Sequence, residues 1–464
     1  MASQLRAATV RNDAIDDIVT RELKRQFSPG IGLAVVKDGR IVKVKGYGFS
    51  NVELRALAGP GTLFQTASVG KQFTAALVML LVRDGKVQLD DSISTYLPEA
   101  PPAWHGITVR HLLTHTSGLV DNDPAIDFRR DYTEQELLSS ASKTQLQCKP
   151  GAAHQYSNLG YQVLGFICTR VGGRFWGDQL RDRVFVPLGM HTARVMSERD
   201  IIPGRAAGYD RYDGVLENQS WVAPSLNTTA DGSCYVSASD MARWALTLGQ
   251  DVVLTQAEWQ TIWTPGRLDD GTSVNYGFGW ALFRDAGYRL MRHRGDWQGF
   301  TSHIAHVPEG ALTVVVLMNR ARGQPHVIAD KILAHYMPAL RKPAIRTPAN
   351  RVLQGTPMFV RRAMNDWKAT VVLTAVEPGL LTATLVLPAG MQQFKVGDVD
   401  WKLVDLGARF DEAVVKLGQT KTLEAKGEDL FLDVQETGTF LFELDLRGPS
   451  APRLTVRAFA SPSR

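Results

Sequence analysis

The chain has 464 residues, which is long for one domain and comfortable for two. Hydrophobic residues make up 44% and charged residues 21%, so the chain can bury an ordinary soluble core. The net charge of +5 is small, and basic residues come in pairs such as Arg129-Arg130 rather than in long tracts, which argues against a nucleic-acid partner.

Cysteine usage and the lack of long apolar runs exclude further classes. Cys148, Cys168 and Cys234 are far apart and form no Cys-x-x-Cys pattern, so neither a zinc site nor a disulfide framework is expected. No apolar run is long enough to cross a membrane, and residues 1–6 lack the apolar core of a signal peptide. We expect no cofactor, no metal and no membrane contact. The expected location is cytoplasmic, or periplasmic or secreted if a signal peptide has been removed.

The first predicted elements are a helix and a β-hairpin. Apolar residues recur on one side of the segment from about Asp13 to Phe27, which is helical spacing. Two apolar runs then flank Asp38-Gly39, a strong signal for a two-residue hairpin turn. The sequence therefore predicts a hairpin over residues 30–47.

The next element carries candidate chemistry. In residues 66–71 a turn of small residues presents Ser68, and Lys71 follows three positions later, ahead of apolar residues at helical spacing through Val82. If the helix begins near Ser68, both side chains share one face, and the unpaired N–H groups of the first turn meet a developing oxyanion. Burial and the positive end of the helix dipole disfavour a charged Lys71. Its amine can then take the proton of the serine hydroxyl.

Two histidines lie in the following helical region. Residues 109–115 predict a helix that ends near Ser117-Gly118 and carries His111 and His115 at positions i and i+4. That spacing can hold a metal, but the third ligand and the nearby glutamate of a His-Glu-x-x-His site are missing. Packing, or polar bracing of a loop, is the favoured interpretation of both side chains.

A polar helix is predicted from Thr133 to Leu146. Thr133 and Glu136 have the spacing of a capping box at its start. Its end carries a second Ser-x-x-Lys pattern, formed by Ser140 and Lys143. Because no apolar helix follows this copy, we interpret it as solvated surface.

A third candidate segment precedes an apolar helical run from Leu159 to Val171. Tyr156 stands on the preceding loop, and either Ser157 or Asn158 is suited to cap the helix. The alternative is functional and places Tyr156 and Asn158 beside the nucleophile. Tyr156 would then relay a proton, and Asn158 would hydrogen-bond the substrate or Lys71.

Strand signals return after residue 276. Residues 289–293 predict a strand leading into Arg294-Gly295-Asp296, and residues 301–307 and 312–318 predict two more strands before a helix over 327–337. Strands at both ends of a mainly helical region indicate one antiparallel sheet assembled from distant parts of the chain. The predicted fold class is α/β (α+β), an antiparallel sheet flanked by helices with an all-helical subdomain.

The last part of the chain changes character. Residues 341–350 are rich in proline and basic residues and are typical of a linker. Short alternating runs beyond it, such as residues 381–387, predict a separate β-sandwich or barrel. We therefore predict a domain over 1–342, a linker over 343–351 and a β-sandwich domain over 352–464.

Three motifs in order give the first domain a family resemblance. Ser68-x-x-Lys71, Tyr156-Ser157-Asn158 and His293-Arg294-Gly295 resemble the serine β-lactamase-like superfamily, which includes class C β-lactamases, D-alanyl-D-alanine carboxypeptidases, D-aminopeptidases and esterases. The resemblance implies that Gly295 lets substrate approach the strand. It also implies that the N–H groups of Ser68 and Asp296 form the oxyanion hole.

The third motif departs from the lactamase pattern. Lactamases and carboxypeptidases of this superfamily carry Lys-Thr-Gly there, whereas His293-Arg294-Gly295 is similar to the His-x-Gly of D-aminopeptidases and some esterases. A lysine at this place helps to bind the substrate carboxylate. Its absence disfavours β-lactamase and carboxypeptidase activity, although Arg294 could replace part of the charge.

The C-terminal part has its own resemblance. Residues 358–367 and 393–401 are similar to the immunoglobulin-like modules appended to pullulanases and other starch-active enzymes. Trp367 and Trp401 could stack on sugar, which would give the protein a carbohydrate contact. We favour a place in the core for both, as is usual for tryptophan in a small β-sandwich.

These observations predict a serine hydrolase that acts through an acyl-enzyme on small amides, peptides with D-residues or carboxylic esters. Ser68 would attack the carbonyl while Lys71 and Tyr156 handle the proton. His293 invites a Ser-His-Asp interpretation, but the nearby Lys71 makes it unnecessary, and the Gly-x-Ser-x-Gly elbow of α/β-hydrolases is missing. The alternatives are a β-lactamase, a penicillin-binding-type sensor that stays acylated, and a polysaccharide-anchoring protein led by the C-terminal module.

Overall fold

The computed structural model describes residues 13–212, 215–340, 353, 356–363, 367–408, 414–427, 429–448 and 451–459. The chain divides into two compact units, one formed by residues 1–210 and 218–340 and the other by residues 211–217 and 341–464. The predicted linker over 343–351 lies outside the described residues. The predicted domain boundaries therefore stay a prediction.

The helices whose bounds the structure describes lie in the first unit. They are α1 (Ala14–Arg25), α2 (Lys71–Arg83), α3 (Val109–Leu113), α4 (Glu134–Ala141), α5 (Asn158–Gly172), α6 (Trp176–Leu180), α7 (Ala238–Ala245), α8 (Gln256–Ile262) and α9 (Pro325–Tyr336). Within the described ranges, none of them has the length and apolar character needed to cross a lipid bilayer.

Strands occur near both ends of the chain up to Met318, and residues 211–212 and 215–217 among them belong to the second unit. Those up to Met318 are β1 (Gly30–Lys37), β2 (Arg40–Asn51), β3 (Ala56–Leu57), β4 (Leu63–Gln65), β5 (Arg194–Val195), β6 (Tyr209–Tyr212), β7 (Val215–Asn218), β8 (Cys234–Ser237), β9 (Gly266–Arg267), β10 (Ser273–Val274), β11 (Ala281–Asp285), β12 (Tyr288–Trp297), β13 (Phe300–Val307) and β14 (Leu312–Met318).

One seven-stranded sheet, in the order β11-β12-β13-β14-β1-β2-β3, organises the first unit. Its neighbouring strands are antiparallel, and β1 from the start of the chain pairs with β14, with Ile31 opposite Met318. The predicted antiparallel sheet built from distant segments is thereby confirmed. Asp38 and Gly39 both have positive φ, 52° and 68°, as the hairpin turn between β1 and β2 requires.

The sheet is buried on both faces. Successive residues of a strand point to opposite faces, and Val314 packs in the core that holds α1 and α9 whereas Val315 packs in the core that holds α2, α5 and α7. Helix α2 is buried from Lys71 through Leu81, which matches the prediction of a helix buried nearly all round. The turn that carries Ser68 is therefore anchored to the centre of the larger core.

Two predicted helices end earlier than expected. Helix α3 stops at Leu113 because His115 adopts left-handed backbone with φ 57°. Helix α4 has the predicted capping box of Thr133 and Glu136 but stops at Ala141. Just beyond, the Ser142 and Thr144 hydroxyls donate to the Leu138 and Ala141 carbonyls at 2.7 and 2.8 Å and compete with continued helix.

The second unit contains a closed β-structure with its own apolar core. Its strands are β15 (Met358–Arg362), β16 (Val372–Glu377), β17 (Leu380–Leu387), β18 (Gly390–Gly397), β19 (Asp405–Ala408), β20 (Val414–Val415), β21 (Thr420–Ala425), β22 (Leu430–Val434), β23 (Gly438–Asp445) and β24 (Arg453–Ala458). The order β15-β16-β17-β23-β24-β21-β19-β18 closes on itself because β18 also pairs with β15. The predicted sandwich or barrel is confirmed, in its closed form.

The two tryptophans of this unit do not lie where we predicted. Trp367 and Trp401 are half-buried and stand outside the apolar core. The Arg361 guanidinium lies 4.1 Å from the centre of the Trp401 ring, and the two indole rings meet edge to face at 6.3 Å. The prediction that both belong to the core is wrong, because a guanidinium rather than apolar side chains covers the Trp401 ring.

Candidate active site

A strained turn between β4 and α2 presents Ser68. The Thr66 backbone N–H donates to the Cys234 carbonyl at 2.9 Å, and its hydroxyl donates to the Gly232 carbonyl at 2.9 Å. Ala67 then takes a left-handed conformation with φ 45°, which costs a residue with a Cβ on the order of 1–3 kcal/mol. Such strain clusters at functional sites, and here it turns the chain so that Ser68 follows at the surface of the core.

The helix predicted to begin near Ser68 begins instead at Lys71. Ala67–Gly70 form a 3₁₀ turn, in which the Val69 N–H bonds the Thr66 carbonyl at 3.3 Å. The N–H of Lys71 bonds the Ser68 carbonyl. The N–H groups of Val69 and Lys71 are therefore hydrogen-bonded within the turn.

Strand β12 passes directly against this turn at Gly295. A Cβ on Gly295 would lie 2.2 Å from the Thr66 carbonyl oxygen and 2.4 Å from the Ser302 Oγ. The Ser302 hydroxyl in turn donates to the Thr66 carbonyl. Glycine is needed here because the strand and the turn are in contact, a reason that the family resemblance alone did not give.

Lys71 is fully buried and makes three polar contacts. Its Nζ lies 3.1 Å from Ser68 Oγ, 2.6 Å from Asn158 Oδ1 and 2.6 Å from the Asp231 carbonyl oxygen. The same Nζ lies 5.0 Å from the ring centre of Tyr156 and 5.4 Å from that of Tyr161. Lys71 is therefore fixed from all sides, with its amine directed at the serine hydroxyl.

Both interpretations of this segment apply, but to different residues: Ser157 caps the helix and Asn158 contacts Lys71. The Ser157 hydroxyl caps α5 by accepting the Gly160 N–H at 2.9 Å. Asn158 begins the helix, and its side-chain amide donates to Asp121 Oδ1 at 3.0 Å while its Oδ1 accepts from Lys71. Asp121 thus orients the Asn158 amide, a contact that sequence reasoning missed.

Tyr156 lies beside Lys71 and is half-buried. Its ring packs against His115 at 4.1 Å and lies 6.2 Å from His293. Within the described part of the chain, no hydrogen bond joins its hydroxyl to Ser68. The structure thus brings Tyr156 to the site through its ring contacts.

His115 braces this region from behind. Its Nδ1 accepts the Ser157 backbone N–H at 3.1 Å, which fixes the loop that carries Tyr156 and Asn158. Burial, together with nearby Lys71, holds the pKa of His115 well below its usual range, so the ring is neutral. His111 accepts the Thr108 N–H at 3.2 Å in a capping box. Both histidines brace loops, as the sequence analysis favoured, and no cluster suited to a metal ion occurs among the described residues.

His293 lies in the buried layer next to Lys71. Its Nδ1 contacts the Arg294 carbonyl at 2.7 Å, and its Nε2 contacts the Tyr276 hydroxyl at 2.8 Å. Since the carbonyl can only accept, the proton is assigned to Nδ1, and Nε2 accepts from Tyr276. Burial, and then the Lys71 charge, lower the pKa of His293 to about 3. His293 is therefore a neutral, engaged side chain at pH 7, which argues against its use as a general base.

Arg294 and Asp296 pair with each other beside the site. The guanidinium of Arg294 makes two hydrogen bonds to the Asp296 carboxylate, at 2.6 and 2.7 Å, and a third to the Gly323 carbonyl at 3.1 Å. Its charge is largely compensated by this pair. The suggestion that Arg294 replaces the missing lysine therefore gains no support from the geometry.

A cavity of about 150 Å³ opens in front of the nucleophile. Ser68, Asn158 and Asp296 all line it. Lys71, Tyr156, His293 and Gly295 are not among the described residues that line it. Sequence reasoning missed two further groups of this site. Tyr276 could have been found, because it begins a short segment rich in glycine and aromatic residues, Tyr276-Gly277-Phe278-Gly279-Trp280. The Asp231 carbonyl had no sequence signal.

Comparisons with known proteins agree with this geometry. Residues 15–336 match the family described as Beta-lactamase. The chain belongs to the Beta-lactamase family. The match spans the sheet, the Ser68 turn and strand β12, so the predicted superfamily is confirmed for the first unit. The predicted likeness of the second unit to pullulanase modules stays a prediction.

Two curated proteins and one solved structure are among those to which the chain is similar. Penicillin-binding protein 4* of Bacillus subtilis (strain 168) is 28% identical over 372 residues, covering 76% of this chain and 78% of the relative. D-aminopeptidase of Gluconobacter oxydans (strain 621H) is 28% identical over 339 residues, covering 71% of this chain and 62% of the relative. D-amino acid amidase from Ochrobactrum anthropi SV3, complexed with L-phenylalanine, matches at 26% identity with a TM-score of 0.60, covering 69% of this chain and 96% of the amidase.

These relatives agree with the predicted function class. An aminopeptidase and an amidase are hydrolases of amide bonds, the reaction that we predict for a serine hydrolase of this type. The chain spans less than two thirds of the D-aminopeptidase, and more than nine tenths of the amidase.

Proposed function

We propose that this protein is a serine hydrolase that works through an acyl-enzyme on small amides, peptides with D-residues or carboxylic esters. The observation that carries the proposal is the contact between Lys71 Nζ and Ser68 Oγ at 3.1 Å, inside a buried network. A hydroxyl nucleophile is weak unless a neighbouring base takes its proton. Lys71 is the basic group in contact with the Ser68 hydroxyl.

The hydrogen-bond pattern supports Lys71 as that base. Two of its partners, Asn158 Oδ1 and the Asp231 carbonyl, accept hydrogen bonds and cannot donate them. A neutral amine would direct its two N–H groups at these acceptors and turn its lone pair toward Ser68 Oγ. The hydroxyl proton would then pass to Lys71 as Ser68 attacks the carbonyl, and backbone N–H groups of Ser68 and Asp296 would bind the oxyanion.

Tyr156 is proposed to carry the proton onward to the leaving group. Its ring lies 5.0 Å from Lys71 Nζ, and no hydrogen bond to Ser68 is found for its hydroxyl among the described residues. Hydrogen bonds of catalytic groups often form only in the substrate complex. The role therefore rests on position and chemistry.

Replacing Tyr156 by phenylalanine tests this role. We expect kcat to fall roughly 10²- to 10⁴-fold, the usual contribution of general acid–base catalysis, while the ring contacts with His115 keep the fold. Initial rates on D-alanine p-nitroanilide, whose anilide leaving group must be protonated as it departs, measure the effect. Tyr132→Phe is the matched control, since Tyr132 lies outside the site. A Tyr156→Phe enzyme with normal kcat would remove Tyr156 from the mechanism.

Penicillins and cephalosporins are expected to be poor substrates. The strand carries His293-Arg294-Gly295 where lactamases carry Lys-Thr-Gly, and Arg294 is paired with Asp296, so a substrate carboxylate finds no unpaired cation there. We expect kcat/KM for nitrocefin to be at least about 100-fold below that for the best small ester, the loss typical of one charge-assisted contact. Comparable values for the two substrates would contradict this proposal.

The main rival is a protein that is acylated and does not turn over. The similarity to penicillin-binding protein 4* is the reason to test this alternative. Incubation with p-nitrophenyl butyrate followed by intact-mass measurement separates the two. Release of many equivalents of p-nitrophenol with an unmodified final mass supports the hydrolase. One equivalent and a lasting mass increase on the Ser68 peptide support the sensor.

The second unit is proposed to be an accessory module similar to the immunoglobulin-like modules of pullulanases. Its strands alternate buried and exposed residues around one core, which supports an independently stable β-unit. A carbohydrate contact through Trp401 has less support, because Arg361 already covers one face of its ring.

A further inference from the structure

Four rings cluster beside the buried Lys71 amine, those of His115, Tyr156, Tyr276 and His293. The Tyr276 ring contacts the other three, with distances between ring centres of 4.6 Å to His115, 5.7 Å to His293 and 6.3 Å to Tyr156. Tyr276 is only 4% exposed. It therefore places a buried hydroxyl inside the cluster, and the proposed mechanism does not use that hydroxyl.

Tyr276 supplies the second hydrogen bond of the His293 ring. Its hydroxyl donates to His293 Nε2 at 2.8 Å, while Nδ1 of the same ring donates to the Arg294 carbonyl at 2.7 Å. Burial raises the pKa of Tyr276 well above its usual range, so this hydroxyl keeps its proton and remains a donor. Both nitrogens of the imidazole are thereby engaged, and the ring is held in one tautomer.

A free Nε2 would disturb the proton transfer. The unprotonated nitrogen of a neutral imidazole is an acceptor, and Lys71 and Tyr156 both adjoin His293. Without its Tyr276 partner, Nε2 would accept a hydrogen bond from one of these donors and draw that donor away from Ser68. The Tyr276 hydroxyl prevents this with a single contact.

The segment that carries Tyr276 is fixed against the helix that carries Lys71. The Tyr276 N–H donates to the Val274 carbonyl at 2.7 Å, and its carbonyl accepts the Gly266 N–H at 2.9 Å. Three residues on, Gly279 passes so close to α2 that a Cβ there would lie 2.8 Å from the Lys71 carbonyl oxygen. Main-chain contacts thus place the Tyr276 hydroxyl and also fix its segment relative to Lys71.

We propose that Tyr276 is a positioning residue for the proposed hydrolysis and acts through His293. By occupying Nε2, its hydroxyl keeps His293 as a neutral wall of the site. The proton of Ser68 then passes to Lys71 alone, and Tyr156 keeps a fixed neighbour. This inference rests on the proposed serine hydrolase function and adds to it a residue that acts from behind the reacting groups.

Tyr276→Phe removes the hydroxyl and keeps the ring contacts. We expect kcat on p-nitrophenyl butyrate to fall roughly 5- to 10-fold, the effect of one lost hydrogen bond. KM should stay within about twofold, because Tyr276 is not among the described residues that line the cavity beside Ser68. A normal kcat in Tyr276→Phe would overturn the inference.

Tyr47→Phe is the matched control. Tyr47 is also buried, and its hydroxyl donates to Asp16 Oδ1 at 2.6 Å in the core on the other face of the sheet. The variant loses a buried hydroxyl of the same kind, far from the cluster of rings, and its kcat should equal that of the wild type.

A double-mutant cycle distinguishes action through His293 from a general structural effect. Leucine in place of His293 removes both ring nitrogens, so the Tyr276 hydroxyl has no imidazole to hold. In the His293→Leu background, Tyr276→Phe should change kcat by less than about twofold. An equal loss in both backgrounds would show that Tyr276 acts independently of His293, which contradicts the proposal.

Nitrogen NMR of the imidazole reads the contact without turnover, and it also decides the question if His293→Leu is too unstable to assay. The His293 signals are assigned by their loss in His293→Gln. The Nε2 resonance should move toward that of a free unprotonated nitrogen in Tyr276→Phe and stay in place in Tyr47→Phe. The same Nε2 resonance in Tyr276→Phe and the wild type would refute the role of Tyr276.

Turnover of p-nitrophenyl butyrate by the wild type, and its loss in Ser68→Ala, tests the function on which the inference rests. If the ester is hydrolysed at Ser68 and Tyr276→Phe has a normal kcat, the hydrolase stands and the role of Tyr276 is wrong. If the wild type does not hydrolyse the ester, the proposed function itself fails, and the role of Tyr276 fails with it.

Discussion

Ser68→Ala is expected to abolish hydrolysis of every ester and amide. The substitution removes the hydroxyl that would form the acyl-enzyme, and we expect kcat to fall on the order of 10⁴- to 10⁶-fold. The fold should survive, because among the described residues the Ser68 side chain bonds only Lys71, and removing one such contact changes the free energy of unfolding by about 1 kcal/mol. Initial rates on p-nitrophenyl butyrate, with thermal unfolding of both proteins, measure the two effects.

The second Ser-x-x-Lys pattern supplies the control. Ser140→Ala removes a serine that also stands three residues before a lysine. Ser140, however, lies near the end of α4, and Lys143 is exposed. Activity should be unchanged in that variant. Hydrolysis surviving in Ser68→Ala, or a mass adduct on any other peptide, would refute Ser68 as the nucleophile.

Lys71→Arg is expected to be nearly inactive although arginine is also a long basic side chain. Arginine is not deprotonated in proteins, so it cannot accept the serine proton. If Lys71 is the base, kcat should fall at least about 10³-fold, near the middle of the range for general acid–base catalysis. Burst and steady-state kinetics on p-nitrophenyl butyrate should show that acylation itself has become slow.

A second variant is needed because arginine is larger than the fully buried Lys71, and loss of activity in Lys71→Arg could reflect misfolding. Lys71→Met has a similar volume and no amine. It leaves Asn158 Oδ1 and the Asp231 carbonyl without their donor, which should cost about 1–3 kcal/mol each in the free energy of unfolding. Lys143→Arg on the exposed copy should behave like the wild type. A folded Lys71→Arg or Lys71→Met protein with near-normal kcat would exclude Lys71 as the base.

Much of the first unit could be predicted from local sequence. The turn at Asp38-Gly39, the capping box at Thr133 and the apolar spacing of α2 each depend on residues a few positions apart. Helix ends were less predictable. Helix α4 stops at Ala141 because the Ser142 and Thr144 hydroxyls bond nearby carbonyls, an outcome that competes closely with continued helix.

The sequence predicted the candidate reactive groups of the site, but it did not predict the groups that surround them. Ser68 and Lys71 are three residues apart, so their contact follows from a single turn. The partners of Lys71 are Asn158, 87 positions away, and the Asp231 carbonyl, 160 positions away. A main-chain carbonyl carries no sequence signal, because every residue has one.

The sequence by itself determined the nucleophile turn, the order of the motifs and the family, since these depend on residue types at short, fixed spacings. The tertiary structure alone decided which charges remain unpaired. It pairs Arg294 with Asp296, engages His293 with Tyr276 and, within the described part of the chain, buries one oxygen each of Asp123 and Asp231 without a donor. The physical reason is that a charge acts through its distance from other charges and from water, and only the packing of remote segments fixes those distances.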